Sequence, residues 1–170
     1  EVRSNPNLKT KVGNVCDRGL MDELIRGIDV VYHLAAPVGV KHILQHPVRT
    51  LTDSMRSADV LFELCHRYKC PVLVASSSEV YGKNLDLIGD DDRTLSEDDY
   101  LLRGSPKDHR WAYATIKSLD ESLAFAYHKE FGLPATVGRF FNVVGPRQSS
   151  AYGMVIPTFV RQALAGQPIT

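Results

Sequence analysis

The stretch Val72-Leu-Val-Ala-Ser-Ser-Ser-Glu-Val-Tyr-Gly82 decides the fold class of this 170-residue chain. It begins with a continuous apolar run, as expected for an interior strand that is covered on both faces of a sheet. It then ends in three serines, a carboxylate and a turn glycine. Helical patterns lie before and after this strand. Such an alternation of strands and helices indicates βαβ units and a parallel sheet, which defines the α/β class.

The same alternation extends over most of the chain. We predict strands at Thr10 to Gly13, Asp29 to Ala36, Pro71 to Ser76 and Ala135 to Phe140. We predict helices at Arg18 to Arg26, about Val48 to Lys69, about Trp111 to Phe131 and around Ile156 to Ala165. The polar segment from Gly82 to Arg110 is longer than a simple connection needs, which is typical of a functional loop.

Composition argues against several classes of partner. The formal net charge is zero and no dense Lys/Arg run is present, so we expect no nucleic-acid partner. No apolar run reaches membrane-spanning length, so we expect no membrane partner. The three cysteines form no CxxC motif and are interpreted as reduced thiols of a cytoplasmic protein. The six histidines are dispersed, so no metal site is expected.

Tyr113 and Lys117 lie four residues apart on a predicted helix, so both side chains project from the same face. A free tyrosine has a pKa of about 10 and is a poor base at neutral pH. A neighbouring ammonium favours the phenolate, so we expect Lys117 to lower the pKa of Tyr113. The spacing alone is weak, because a chain with seven tyrosines can contain such a pair by accident.

Two predicted strands end in residues that suit a ligand. In parallel sheets, ligands bind at the carboxyl ends of the strands, where Ser76 to Glu79 fall. The second strand end, Tyr32-His-Leu-Ala-Ala-Pro37, carries small residues against which a flat ligand could lie. A solvated turn is the alternative for the serines, and tight packing is the alternative for the alanines.

Together these residues resemble the extended short-chain dehydrogenase family, the NAD-dependent epimerases, dehydratases and decarboxylases of nucleotide sugars. The resemblance covers essentially the whole chain and implies a Rossmann-like, doubly wound parallel sheet. It rests on five ordered signatures: Gly13-Asn-Val-Cys-Asp17, Tyr32-His-Leu-Ala-Ala36, Ser76-Ser-Ser-Glu-Val-Tyr-Gly82, Tyr113 to Lys117, and Arg139-Phe-Phe-Asn-Val-Val-Gly-Pro-Arg147.

The resemblance implies a role for each matching residue. Tyr113 is the expected acid–base residue, Ser77 holds the sugar oxygen, and Glu79 handles a proton or orients the substrate. The residues expected to bind NAD are Val15, Asp17, Leu34, Ala35, Ala36, Lys117 and Phe140. The residues expected to bind a UDP-linked sugar are Ser78, Asn142, Val155, Ile156 and Pro157.

The family's glycine-rich phosphate loop, GxxGxxG, is not found in the chain, and we expect it before Glu1. We therefore assign residues 1–147 to an incomplete NAD-binding domain and residues 148–170 to the start of a substrate-binding region. Ser54 and Ser57 stand where relatives commonly have asparagine and glycine. The resemblance also implies a homodimer, since the corresponding helices pair in relatives.

The implied chemistry is transient oxidation of the sugar at C4, after which three outcomes compete. Dehydratases of this family usually have Thr-Asp-Glu where this chain has Ser77-Ser78-Glu79. Ser78 cannot readily supply the acid's proton, so dehydration ranks last. The sequence Ser77-Ser78-Glu79 is similar to the Thr-Ser-Glu of UDP-glucuronate decarboxylases. We therefore narrowly prefer a decarboxylase activity over that of a UDP-sugar 4-epimerase. A non-catalytic Rossmann-like binding module is the alternative of another class.

Overall fold

A parallel sheet of three strands organises the described part of the chain. The computed structural model describes residues 5–37, 40–84, 94–148 and 154–170, without the side chains of residues 40–42. Strand β1 spans Val31–His33, β2 spans Val72–Ser77 and β3 spans Ala135–Phe140. The order is β1-β2-β3, and both pairs are parallel. The carboxyl ends of all three strands therefore lie at one edge of the sheet.

Five helices accompany these strands in the described residues. They are α1 (Arg18–Ile25), α2 (Val40–Gln45), α3 (Pro47–Tyr68), α4 (Ala112–Phe131) and α5 (Val155–Leu164). Their ends follow the sequence signals. Asp17 accepts a hydrogen bond from the backbone of Leu20 and so caps α1, and Gly132 ends α4 with a φ of 70°. The α/β class is thus confirmed.

The main core lies between the sheet and the helices α3 and α4. Val72 and Val74 of β2 pack there with Phe62 of α3 and Ala124 of α4. Burial alternates along β2, whereas the sequence predicted a strand covered equally on both faces. Within the described residues the opposite face is more open, and Tyr32 of the neighbouring strand is 64% exposed there.

The predicted strand at Thr10 to Gly13 was wrong. Residues 10–13 have no regular secondary structure, and Val12 is fully exposed. A strand needs a hydrogen-bonded neighbour, and no described segment pairs with this one. The strand predicted at Asp29 to Ala36 forms only over Val31–His33. Helix α2 was not predicted, because six residues give fewer than two turns of periodicity.

The start of α4 is held by close packing against the polar segment that precedes it. A 3₁₀ turn, His109–Trp111, leads into the helix, and Trp111 is buried. A Cβ atom on Gly104 would collide with the Trp111 indole nitrogen, so the backbone approaches the ring directly. Likewise, Gly82 pairs with Leu102, where a side chain would collide with the Leu102 carbonyl. These contacts fix α4 relative to the end of β2.

The predicted boundary between residues 147 and 148 adjoins residues 149–153, which lie outside the described part, so the division into domains stays a prediction. Helix α5 follows it, and none of its residues is buried. Within the described ranges, no helix combines the length and the apolar character needed to span a bilayer.

Candidate active site

The carboxyl ends of β2 and β3 form the floor of an open cleft of about 1030 Å³. Ser77 and Phe140, the last residues of these strands, are register partners. Tyr113, in the first turn of α4, lines the same cleft. The other predicted site residues that line it are Asn142, Val155, Ile156 and Pro157. The structure therefore brings the predicted acid–base tyrosine, the predicted catalytic serine and most of the predicted substrate residues together.

Tyr113 is half-buried, and the Ser77 side chain lies close enough to its hydroxyl to act on its pKa. Burial raises the pKa of Tyr113 above its ordinary value, and the negative charges of Glu79 and Asp120 raise it further. The Ser77 side chain lowers the pKa of Tyr113, but this effect is smaller than that of burial. The phenol is therefore held in its neutral form.

This pKa direction is opposite to the one predicted from the sequence, in which Lys117 lowers the pKa of Tyr113. The Lys117 ammonium lies 6.0 Å from the centre of the Tyr113 ring and 3.3 Å from a carboxylate oxygen of Asp120. Its charge is thus partly compensated by Asp120, whose own charge acts on Tyr113 in the opposite sense.

Ser77 also begins the turn that carries the next two predicted residues. Its hydroxyl oxygen accepts a hydrogen bond of 3.2 Å from the backbone nitrogen of Glu79, at the start of the 3₁₀ turn Ser78–Tyr81. Ser78 is half-buried and Glu79 is exposed. Neither is among the residues that line the cleft, although the charge of Glu79 acts on Tyr113.

A second cavity, of about 240 Å³, lies beside the end of β1. Four of the predicted cofactor residues line it: Val15, Ala35, Ala36 and Lys117. The other three lie elsewhere. Asp17 caps α1, Leu34 is 66% exposed, and Phe140 lines the larger cleft. Ser54 and Ser57 also border the second cavity, and the Ser54 hydroxyl donates to the carbonyl of Thr50 at 2.7 Å.

Two buried groups in this second cavity were not predicted as functional. Asp120 is 4% exposed and His33 is 7% exposed. Burial and the charge of Lys117 lower the pKa of His33 to about 4, so this ring is neutral at physiological pH. Asp120 follows Lys117 by three residues on one helix, and that spacing was the available sequence signal.

A buried ion pair ties α4 to the ends of β2 and β3. The Arg139 guanidinium donates to both carboxylate oxygens of Glu121, at 3.0 and 2.8 Å. The Ser76 hydroxyl donates to the same carboxylate. The guanidinium also stacks over the Tyr81 ring, with 4.6 Å to its centre. This network holds the backbone next to Ser77.

Within the ranges that the structure describes, no group of three or more His, Cys, Asp or Glu side chains is arranged to hold a metal ion.

Comparisons with known proteins agree with this geometry. The profile of the NAD-dependent epimerase/dehydratase family matches residues 2–170. A UDP-N-acetyl-alpha-D-glucosaminuronate decarboxylase from Bacillus cytotoxicus is 37% identical over 157 residues, which cover 92% of this chain and 46% of that protein.

Solved structures show the same similarity. A UDP-N-acetylglucosamine 4-epimerase from Methanobrevibacter ruminantium superimposes with a TM-score of 0.82 at 29% identity, over 96% of this chain and 50% of that one. A UDP-glucuronic acid 4-epimerase from Bacillus cereus, in complex with UDP-glucuronic acid and NAD, gives 0.79 at 28% identity, over 99% and 49%.

The chain spans about half the length of the relatives it matches. The family profile, in contrast, extends over almost all of its residues. The chain therefore belongs to the NAD-dependent epimerase/dehydratase family.

Proposed function

We propose that the full-length protein is an NAD-dependent decarboxylase of a UDP-linked uronate, with UDP-glucuronate as the first substrate to test. One observation carries the redox part of this proposal. Ser77 and Tyr113 line the same cleft where β2 ends, their side chains are close enough to interact, and the cleft is large enough for a sugar.

The residues of the second cavity fit the family's cofactor. Ala35, Ala36, Ser54 and Ser57 are small and leave the backbone accessible to a flat ligand, and Lys117 offers a buried cation to ribose hydroxyls. NAD, when bound, supplies the acceptor for a hydride. We assign Val15, Ala35, Ala36 and Lys117 to holding it. Asp17, Leu34 and Phe140 stay predicted cofactor residues.

In the proposed reaction Tyr113 accepts the proton of the sugar C4 hydroxyl while Ser77 orients the oxygen. The hydrogen on C4 leaves as a hydride, and a C4 ketone remains. In a uronate this ketone lies β to the carboxylate on C5, so the bond between C5 and the carboxylate can break. Carbon dioxide leaves, the electron pair stays on the sugar as an enolate, and C5 takes up a proton. The hydride then returns to C4, and Tyr113 returns the proton to the C4 oxygen, which restores the hydroxyl.

The residues after Ser77 favour decarboxylation over dehydration. Ser78 offers a hydroxyl, a poor acid for a departing group, while Glu79 places a carboxylate near Tyr113. The decarboxylase from Bacillus cytotoxicus supports the same choice. Its substrate differs from UDP-glucuronate by an N-acetyl group, so both uronates belong in the assay.

A UDP-sugar 4-epimerase is the second candidate, because the solved epimerase from Bacillus cereus binds UDP-glucuronic acid. A 4,6-dehydratase ranks third. A non-catalytic binding module is disfavoured because Ser77, Tyr113 and Lys117 are all present. A homodimer and a cytoplasmic location stay predictions.

The deciding experiment supplies NAD and UDP-glucuronate, labelled in its carboxyl carbon, to the full-length protein. We expect labelled carbon dioxide and a UDP-pentose, resolved by chromatography. Glu79→Gln should reduce gas release by about a hundredfold, as for a lost acid–base group. The matched control is Glu97→Gln, since Glu97 has an exposed side chain in the described segment that precedes α4. Formation of UDP-galacturonate without gas release, unchanged in Glu79→Gln, would assign the protein to the epimerases.

A further inference from the structure

Lys117 and Asp120 form an ion pair inside the wall of the second cavity. Their side chains are 2% and 5% exposed, and the ammonium lies 3.3 Å from Oδ2 of Asp120. Both residues line the cavity from the same face of α4. Burial raises the pKa of Asp120, while the adjoining Lys117 charge lowers it. A charged Asp120 carboxylate therefore has an unfavourable desolvation free energy, which its attraction to Lys117 must offset.

Other titratable groups reach this pair from each neighbouring element. His33 faces it from β1 and is neutral, and Asp53 of α3 and Cys16 border the same cavity. Glu79 acts on Tyr113 from the end of β2, and Glu121 acts on Asp120 along α4. Glu121 is itself paired with Arg139. Of the described carboxylates, Asp120 is the one in an ion pair with Lys117.

We propose that Asp120 is a positioning residue of the redox centre: it holds the Lys117 ammonium in the cavity wall, and its negative charge offsets that ammonium next to Tyr113. The inference rests on the proposed function, because it assumes that Tyr113 and Lys117 serve a redox step. Asp120 thereby becomes the third member of the Tyr113–Lys117 pair, because it fixes the position of Lys117 and its charge acts on Tyr113.

Electrostatics gives the expected direction. The charge of Asp120 raises the pKa of Tyr113, so an uncharged residue at position 120 removes that effect. This change favours the phenolate. One unit charge about 10 Å away, at an effective dielectric constant of about 20, shifts a pKa by about one unit.

The test is Asp120→Asn in the full-length protein, because the amide keeps the shape and loses the charge. We expect the acid limb of the pH profile of kcat/KM to move by about one pH unit toward acid. The affinity for NAD, measured by calorimetry, should fall, since Lys117 loses its anchor. Asp120→Glu should restore the wild-type profile. The matched control Asp59→Asn changes an exposed carboxylate of α3 and should leave both readouts unchanged.

A direct readout separates this inference from the proposed reaction. The phenolate absorbance of Tyr113, taken as the difference between each protein and its Tyr113→Phe counterpart, needs no substrate. The inference stands if Asp120→Asn lowers the Tyr113 titration midpoint, even where no carbon dioxide is formed. It fails if that midpoint is unchanged in Asp120→Asn.

If Asp120→Asn does not fold, a double variant provides a second test. Removing the charges of both Lys117 and Asp120 leaves neither of them buried without its partner. Tyr113 is titrated in Lys117→Met and in Lys117→Met/Asp120→Asn. We expect the midpoint to be lower in the double variant by the contribution of Asp120. Identical midpoints in the two proteins would overturn the inference.

Discussion

At the scale of the residue, the surroundings of Tyr113 raise its pKa, although its proposed role as a base requires it to lose its proton. Burial and two neighbouring carboxylates raise this pKa, whereas a base must be deprotonated to accept a proton. A raised pKa means that the phenolate fraction grows with pH throughout the physiological range. We therefore expect turnover of the full-length protein to rise about tenfold per pH unit between about pH 6 and 8, where deprotonated tyrosine is scarce. A flat pH profile of kcat over this range would show that Tyr113 ionisation does not limit the reaction.

Substitution of Tyr113 tests the same residue chemically. Tyr113→Phe keeps the ring in the first turn of α4 but removes the hydroxyl from the cleft that Tyr113 lines together with Ser77. Turnover should fall by at least about a hundredfold, as for the loss of a positioned acid–base group, while NAD affinity changes little. The matched control is Tyr100→Phe, since the Tyr100 side chain is 87% exposed. Equal turnover in wild type and Tyr113→Phe would remove the phenol from the mechanism.

At the scale of the element, the ion pair between Glu121 and Arg139 joins α4 to the strand ends that carry the site. Its side chains are 6% and 12% exposed, and the carboxylate also accepts from Ser76. Glu121→Ala leaves a guanidinium buried without its partner, and this should reduce the free energy of unfolding by about 3 to 5 kcal/mol. Arg49→Ala breaks the exposed pair with Asp53 and should cost less than about 1 kcal/mol. Denaturant unfolding of the full-length variants measures both, and equal losses would show that the buried pair does not tie the elements together.

The helices and strands also show which elements can be predicted from hydrophobic periodicity and from residues that end a helix. Helices α3 and α4 are long, and residues that stop a helix follow each of them, Pro71 after α3 and Gly132-Leu-Pro134 after α4, so both were predictable. Residues 10–13 have the local pattern of a strand, but pairing depends on a neighbour in space, which local sequence does not specify. The six-residue helix α2 is too short to give a periodic signal.

At the scale of the whole molecule, the residues of the candidate site could be predicted from the order of motifs along the chain. The properties that depend on how deeply a side chain is buried could not. The resemblance based on five ordered signatures predicted that Ser77, at a strand end, and Tyr113, on a helix, act on one sugar oxygen, and in the structure both line the same cleft. The direction of the Tyr113 pKa and the pairing of Lys117 with Asp120 depend on burial and on which helix face meets the cavity. Those properties arise only when the sheet and α4 are packed together.

Cofactor binding should be detectable as stability of the whole protein. A ligand that binds only the folded state at a hundred times its dissociation constant adds about 2.7 kcal/mol to the free energy of unfolding. We therefore expect NAD to raise the Tm of the full-length protein in a concentration-dependent way. Lys117→Met should weaken that rise, because Lys117 lies in the wall of the cavity assigned to the cofactor, whereas Lys11→Met changes an exposed lysine and should not. Thermal unfolding with increasing NAD gives both results, and a Tm that rises equally in wild type and Lys117→Met would place the cofactor away from this cavity.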